Sequence, residues 1–154
     1  MSASSSPPPS AAAPIWPAAP ADETALAPHA GAPRIRVHEG IAQLRLDRVA
    51  EHNRLDPADI DAMTRWFAEL ARDPAIRALI ITGTGERTFS SGYTLDAILS
   101  ELDDRLERML DSLEVLPFVT IAALNGSVYG GATDLALACD MRIGMTGCRM
   151  FMPV

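Results

Sequence analysis

The sequence predicts an α/β domain with largely parallel strand pairing, on three observations. From Arg34 onward, runs of strand period alternate with runs of helical spacing. Two of the strand runs, within residues 77–82 and 119–124, are continuously apolar, as strands buried on both faces are. The 154 residues are 48% hydrophobic and 21% charged, which fills one core and does not comfortably supply two.

The first 33 residues are a different material. Eight of the twelve prolines lie there, interleaved with Ala and Ser. Proline fixes φ and removes donors, and few apolar side chains are present to offset the entropy of ordering. Residues 1–33 are therefore expected to be a disordered, partly polyproline-II tail, with the domain at 34–154. With no basic n-region and with prolines interrupting any apolar stretch, a secretory signal is not expected.

Residues 34–38 and 41–46 each alternate polar and apolar around Glu39-Gly40, which predicts a β-hairpin. Asp56-Pro57 is a helix start, with Asp as N-cap and Pro at the first helical position. Ile60, Met63, Phe67, Leu70 and Ala71 then share one face as far as Asp73-Pro74. The strand at 77–82 ends in Gly83-Thr84-Gly85, and Phe89 to Gly92 reads as a loop. Leu95, Ile98, Leu99, Leu102, Leu106, Met109, Leu110 and Leu113 follow helical spacing with charged residues between, and Pro117 stops that helix. Asn125-Gly126 breaks the strand at 119–124, Gly130-Gly131 opens a short apolar helix to Cys139, and residues 141–145 are a candidate strand. No internal repeat is visible.

Charge excludes some functions. Thirteen Arg and no Lys face twenty Asp and Glu, for a net charge of −7, which argues against nucleic acid as a partner. No run approaches the roughly 18–20 apolar residues of a membrane span. Cys139 and Cys148 make neither a disulfide framework nor a zinc site by spacing, so no metal is expected. They read as small buried hydrophobes in a reducing compartment, and a cytoplasmic location is the expectation.

Three segments carry a resemblance. Residues 125–140, Asn-Gly-Ser-Val-Tyr-Gly-Gly-Ala-Thr-Asp-Leu-Ala-Leu-Ala-Cys-Asp, resemble the second signature of the crotonase (enoyl-CoA hydratase/isomerase) superfamily. Thr82-Gly83-Thr84-Gly85, with Phe89-Ser90-Ser91-Gly92-Tyr93-Thr94-Leu95, is similar to its first signature loop. His52-Asn53-Arg54-Leu55 resembles the family's Asn-Ala-Leu segment, with Arg54 where Ala is usual. The resemblance implies a crotonase-like ββα spiral core, incomplete at the C-terminus, and an enzyme of fatty-acid type metabolism acting on acyl-CoA. It implies no cofactor beyond the CoA thioester substrate, and a homo-oligomer, a trimer or dimer of trimers.

Chemistry beside a thioester passes through an oxyanion, which two peptide N–H groups can stabilise. Losing one such donor raises the barrier by about 2.7–4 kcal/mol. By position in the motifs, the resemblance assigns these donors to Tyr93 and Gly131. The Tyr93 side chain would then narrow or re-line the acyl pocket. It further assigns His52, Arg54, Ser91, Thr94 and Leu95 to substrate or CoA contacts, with Arg54 the candidate for phosphate. Asp96 stands where many relatives carry a basic residue.

Hydration of an enoyl double bond suits two facing carboxylates. Asp134 occupies the position of the family's first Glu, one methylene (roughly 1.5 Å) shorter. The second acid position, twenty residues on, is Val154, which moves no proton. The expectation is an isomerase or other non-hydratase enzyme (a lyase in the broad class) with Asp134 as its catalytic carboxylate. The alternative is a non-catalytic acyl-CoA-binding or assembly module, or an inactive fragment. A truncated chain is expected, with part of the cover missing from Met150-Phe151-Met152.

Overall fold

The computed structural model describes residues 31–93 and 104–152. The tail read over 1–33 falls outside them except for its last three residues, of which Ala32 is buried. Thr94, Leu95, Asp96 and Val154 also lie outside the described residues.

The hairpin forms as its alternation dictates. β1 (Arg34–His38) pairs antiparallel with β2 (Ile41–Leu46), with Arg34 opposite Arg45 and His38 opposite Ile41. Glu39 and Gly40 between them have φ of 48° and 77°, the double positive φ of a two-residue turn whose twist matches the strands. β3 (Ala78–Gly83), β5 (Val119–Leu124) and β7 (Met141–Gly144) extend the sheet in parallel, in the order β1-β2-β3-β5-β7. Leu79, Ile81 and Ala122 on its central strands are fully buried, as the continuous apolar runs require.

A second, parallel three-stranded sheet corrects the sequence reading. Its strands are β4 (Thr88–Ser90), β6 (Ser127–Tyr129) and β8 (Met150–Phe151). Phe89 and its neighbours, expected as loop, are therefore strand, and the chain resumes pairing directly after Asn125-Gly126. Strands of two or three residues are too short to show a period, which is why they escaped the pattern.

The two sheets reveal a structural repeat that the residues do not display. Leu46 lies opposite Gly83, Thr82 opposite Ala123 and Leu124 opposite Gly144, so the strand ends of the large sheet are level. From β3, β5 and β7 the chain steps into β4, β6 and β8 of the small sheet. After β2 it steps likewise, through a 3₁₀ turn (Val49–Glu51), to Leu55, which bridges Tyr93 in parallel. Helices follow the first three steps: α1 (Pro57–Leu70), α2 (Arg105–Glu114) and α3 (Ala132–Leu137). This is the ββα spiral that the resemblance implies.

In α1 the predicted face is correct for Ile60, Met63, Phe67 and Leu70, and it is wider than expected, taking in Ala62 and Trp66. Ala71 is instead exposed at the helix end. Fully burying Met63 and Phe67 contributes about 1.5–3 kcal/mol each. Helix α2 covers the C-terminal part of the predicted long helix, with Met109 and Leu113 buried, and it packs on α1. Glu107 and Asp111 lie on its exposed side, and Asp104 at its N-cap is exposed too.

Cys139 is buried and unpaired, and burial pushes its thiol up to about 12, with Asp140 adding to the shift against Arg142 and Thr120. It is a small hydrophobe, as its context suggested. Asp140 accepts from Thr120 N at 2.7 Å and Thr120 Oγ1 at 2.9 Å, tying the end of α3 to β5. Those hydrogen bonds hold its carboxyl below the usual range.

β7 and β8 end the two sheets among the described residues. Met141, Ile143, Met150, Phe151 and Met152 on and beside them are exposed. No described helix is long and apolar enough to cross a membrane.

Candidate active site

The three resembling segments, distant in sequence, are sewn together by the polar groups of buried Asn53 and Ser90 and of half-buried Asn125. Asn53 is buried at φ 56°, a left-handed conformation that asparagine tolerates better than most residues. Its Nδ2 donates to the carbonyls of Thr84 and Thr88, each at 2.9 Å. Asn125 Oδ1 accepts from Gly83 N at 2.8 Å, and Asn125 Nδ2 donates to Gly85 O at 2.8 Å. Ser90 Oγ donates to Asn53 O at 2.8 Å and accepts from Gly92 N at 3.1 Å. Leu55 N reaches Gly92 O at 2.8 Å, and Ser91 N reaches His52 O at 2.9 Å. Sequence reasoning singled out none of Asn53, Ser90 and Asn125 as functional. Single polar residues carry no period, and the one available signal was their place inside the motifs.

The network brings Tyr93 and Gly131 face to face. Gly92 turns at φ 92°, and a Cβ there would lie 3.0 Å from both Gly131 N and Tyr129 O. Only glycine permits both that φ and that approach. Gly131 itself is ordinary in backbone (φ −62°, ψ −10°) but has no room for a side chain. A Cβ there would sit 2.3 Å from Cδ2 and Cε2 of the Tyr93 ring. Among the described residues, the peptide N–H groups of Tyr93 and Gly131 have no acceptor.

Asp134 lies in the first turn of α3, half-buried. The Tyr93 ring is half-buried, while its hydroxyl is sealed from solvent and has no hydrogen-bond partner among the described residues. Burial raises the phenol above its ordinary pKa, and the negative charge of Asp134 raises it further. The hydroxyl therefore stays protonated at neutral pH.

Of the remaining predicted contacts, His52, Ser91 and Arg54 lie among the described residues. His52 is exposed at φ 55°, with Nδ1 3.4 Å from Thr88 Oγ1. Ser91 Oγ donates to Glu51 O at 3.3 Å. Arg54 is engaged with Glu51 at 2.6 Å and Asp56 at 3.3 Å, so its charge is already matched by two carboxylates. A phosphate would have to compete with both. Behind this loop, Arg48 pairs with buried Asp59 at 2.8 Å and donates to Arg54 O at 2.8 Å. Among the described residues, no group of three or more His, Cys, Asp or Glu is placed to hold a metal.

This arrangement matches known proteins. Residues 36–152 match the family model described as enoyl-CoA hydratase/isomerase. The (E)-benzylidenesuccinyl-CoA hydratase of Thauera aromatica is 32% identical over 121 residues, which are 75% of this chain and 47% of that protein. The short-chain-enoyl-CoA hydratase of Clostridium acetobutylicum is 28% identical over 120 residues, 73% of this chain and 46% of its own. Among solved structures, DspI of Pseudomonas aeruginosa superposes with a TM-score of 0.74 at 29% identity, covering 79% of this chain and 52% of DspI. OdaA of the same organism gives 0.71 at 33% identity, covering 79% and 50%. The chain thus spans about half the length of the relatives it matches. With the spiral fold, the ordered motifs and the family match in agreement, the chain belongs to the enoyl-CoA hydratase/isomerase family, the crotonase superfamily.

Proposed function

We propose that the protein acts on acyl-CoA thioesters, with the peptide N–H groups of Tyr93 and Gly131 receiving the thioester oxygen as it takes up negative charge. The observation that carries this reading is that these two peptide donors, without acceptors among the described residues, lie on loops that touch: a Cβ on Gly92, next to Tyr93, would come within 3.0 Å of Gly131 N. Fixed donors of this kind need no rearrangement as charge develops, which is where such sites gain their effect.

Asp134, on the first turn after Gly131, is the proton-carrying group. In a 1,3-isomerisation its carboxylate takes a proton from C2 of a 3-enoyl thioester, giving a dienolate held at the two N–H groups. The protonated carboxyl then returns the proton to C4, leaving the conjugated 2-enoyl thioester. One carboxylate suffices for this cycle, whereas hydration calls for an acid and a base together.

The test supplies a 3-enoyl-CoA and crotonyl-CoA to the protein. The reading expects formation of conjugated 2-enoyl-CoA to outpace hydration of crotonyl-CoA, and Asp134→Asn to slow isomerisation by about 10²–10⁴-fold. Faster hydration than isomerisation, or an isomerisation rate indifferent to Asp134→Asn, would overturn it.

A further inference from the structure

We propose that Ser90 is a positioning residue, whose buried hydroxyl fixes the direction in which the Tyr93 peptide N–H points. This rests on the reading of Tyr93 and Gly131 as thioester ligands, and it assigns the aim of one donor to a single side chain.

The two donor peptides are built alike. Each donor follows a glycine at positive φ, Gly92 at 92° and Gly130 at 55°. In each glycine both the N–H and the carbonyl are engaged. Gly92 N donates to Ser90 Oγ at 3.1 Å, and Gly92 O accepts from Leu55 N at 2.8 Å. Gly130 N donates to Phe151 O at 3.0 Å, and Gly130 O accepts from Thr133 N at 2.9 Å. A trans peptide is planar, with its C=O and N–H pointing in opposite directions. The Gly92 carbonyl, held toward Leu55, therefore turns the Tyr93 N–H away from residues 52–55. The Gly130 carbonyl, held by Thr133 in the first turn of α3, aims the Gly131 N–H out of that helix in the same way.

Three of these four clamps run between backbone groups, and the fourth is the Ser90 hydroxyl. Ser90 is fully buried, and its Oγ also donates to Asn53 O at 2.8 Å. With its proton committed to Asn53, the oxygen is left to accept from the Gly92 N–H. Glycine has the widest backbone freedom, so losing that bond lets the peptide after Gly92 swing. A donor that must be re-aimed stabilises developing charge less well than a fixed one.

The experiment titrates ¹⁵N-labelled wild type, Ser90→Ala and Ser90→Cys to saturation with butyryl-CoA and follows the Tyr93 and Gly131 amide protons. Ser90→Cys fills the volume with a thiol, a weak donor and acceptor, which separates loss of the oxygen from loss of packing. In wild type both amide protons should move downfield. In both variants the Tyr93 shift should be largely lost, while Gly131 keeps its own. Without ligand, the Gly92 amide should exchange with solvent about fivefold faster in the variants, the worth of one hydrogen bond.

The positioning role is overturned, and the thioester reading left standing, by any of four results in the variants. These are an undiminished Tyr93 shift, an equal loss at Gly131, unchanged Gly92 exchange, or an effect confined to Ser90→Ala. Wild-type Tyr93 and Gly131 amides that stay in place under butyryl-CoA overturn both. Where Ser90→Ala does not fold, Ser90→Cys decides by the first three results.

Discussion

Gly131 carries the residue-scale constraint that bears most directly on the proposed site. Its φ of −62° suits any amino acid, so backbone strain plays no part. The obstacle is the Tyr93 ring, 2.3 Å from where a Cβ would stand. Gly131→Ala should therefore destabilise the fold by about 1–3 kcal/mol, the usual cost of overpacking. In a Tyr93→Ala background the same substitution should cost little, so the double-mutant cycle should return a coupling of about 1 kcal/mol or more. Urea unfolding midpoints measure it, and simply additive costs would show that the ring is not the obstacle. The same contact affects any test by Gly131→Pro, because proline removes the donor N–H and also brings a Cβ. Gly131→Ala, which keeps the N–H, is the control that separates the two effects. The motifs placed Tyr93 and Gly131 in one site. Their side-chain contact is tertiary and could not be read from spacing.

At the scale of elements, legibility followed length and period. The hairpin, α1 and the runs that became β3, β5 and β7 were readable because five or more residues repeat a pattern or stay apolar throughout. The small sheet was not, because Thr88–Ser90 and Met150–Phe151 are too short to show one. Trp66 is buried as well and widens the buried face of α1, a helix against which α2 also packs. The N-terminus of α1 matters to the site through Arg48, which links Asp59 to the carbonyl of Arg54. Asp59→Ala would leave the buried Arg48 guanidinium with the part-exposed Asp56 at 3.1 Å. Breaking a buried pair costs about 3–5 kcal/mol, and the surviving partner places this variant near 3 kcal/mol. Chemical denaturation checks the figure, and a loss below about 1 kcal/mol would mean that the pair does not anchor the loop bearing His52 and Asn53.

Across the whole molecule, the spiral explains why three short motifs converge. Each turn delivers the level end of a large-sheet strand to the small sheet, and the motif loops sit at those crossings. The amides of buried Asn53 and half-buried Asn125 then fix the crossings to one another. The central claim is that this scaffold aims the N–H groups of Tyr93 and Gly131 at a thioester oxygen. Two-dimensional ¹H–¹⁵N NMR of the labelled chain tests it most directly, by titration with butyryl-CoA and with free CoA. Hydrogen bonding to the thioester oxygen should move the Tyr93 and Gly131 amide protons downfield with butyryl-CoA and leave them nearly unmoved with free CoA. Butyryl-CoA binding that shifts other amides and leaves these two in place would contradict the account.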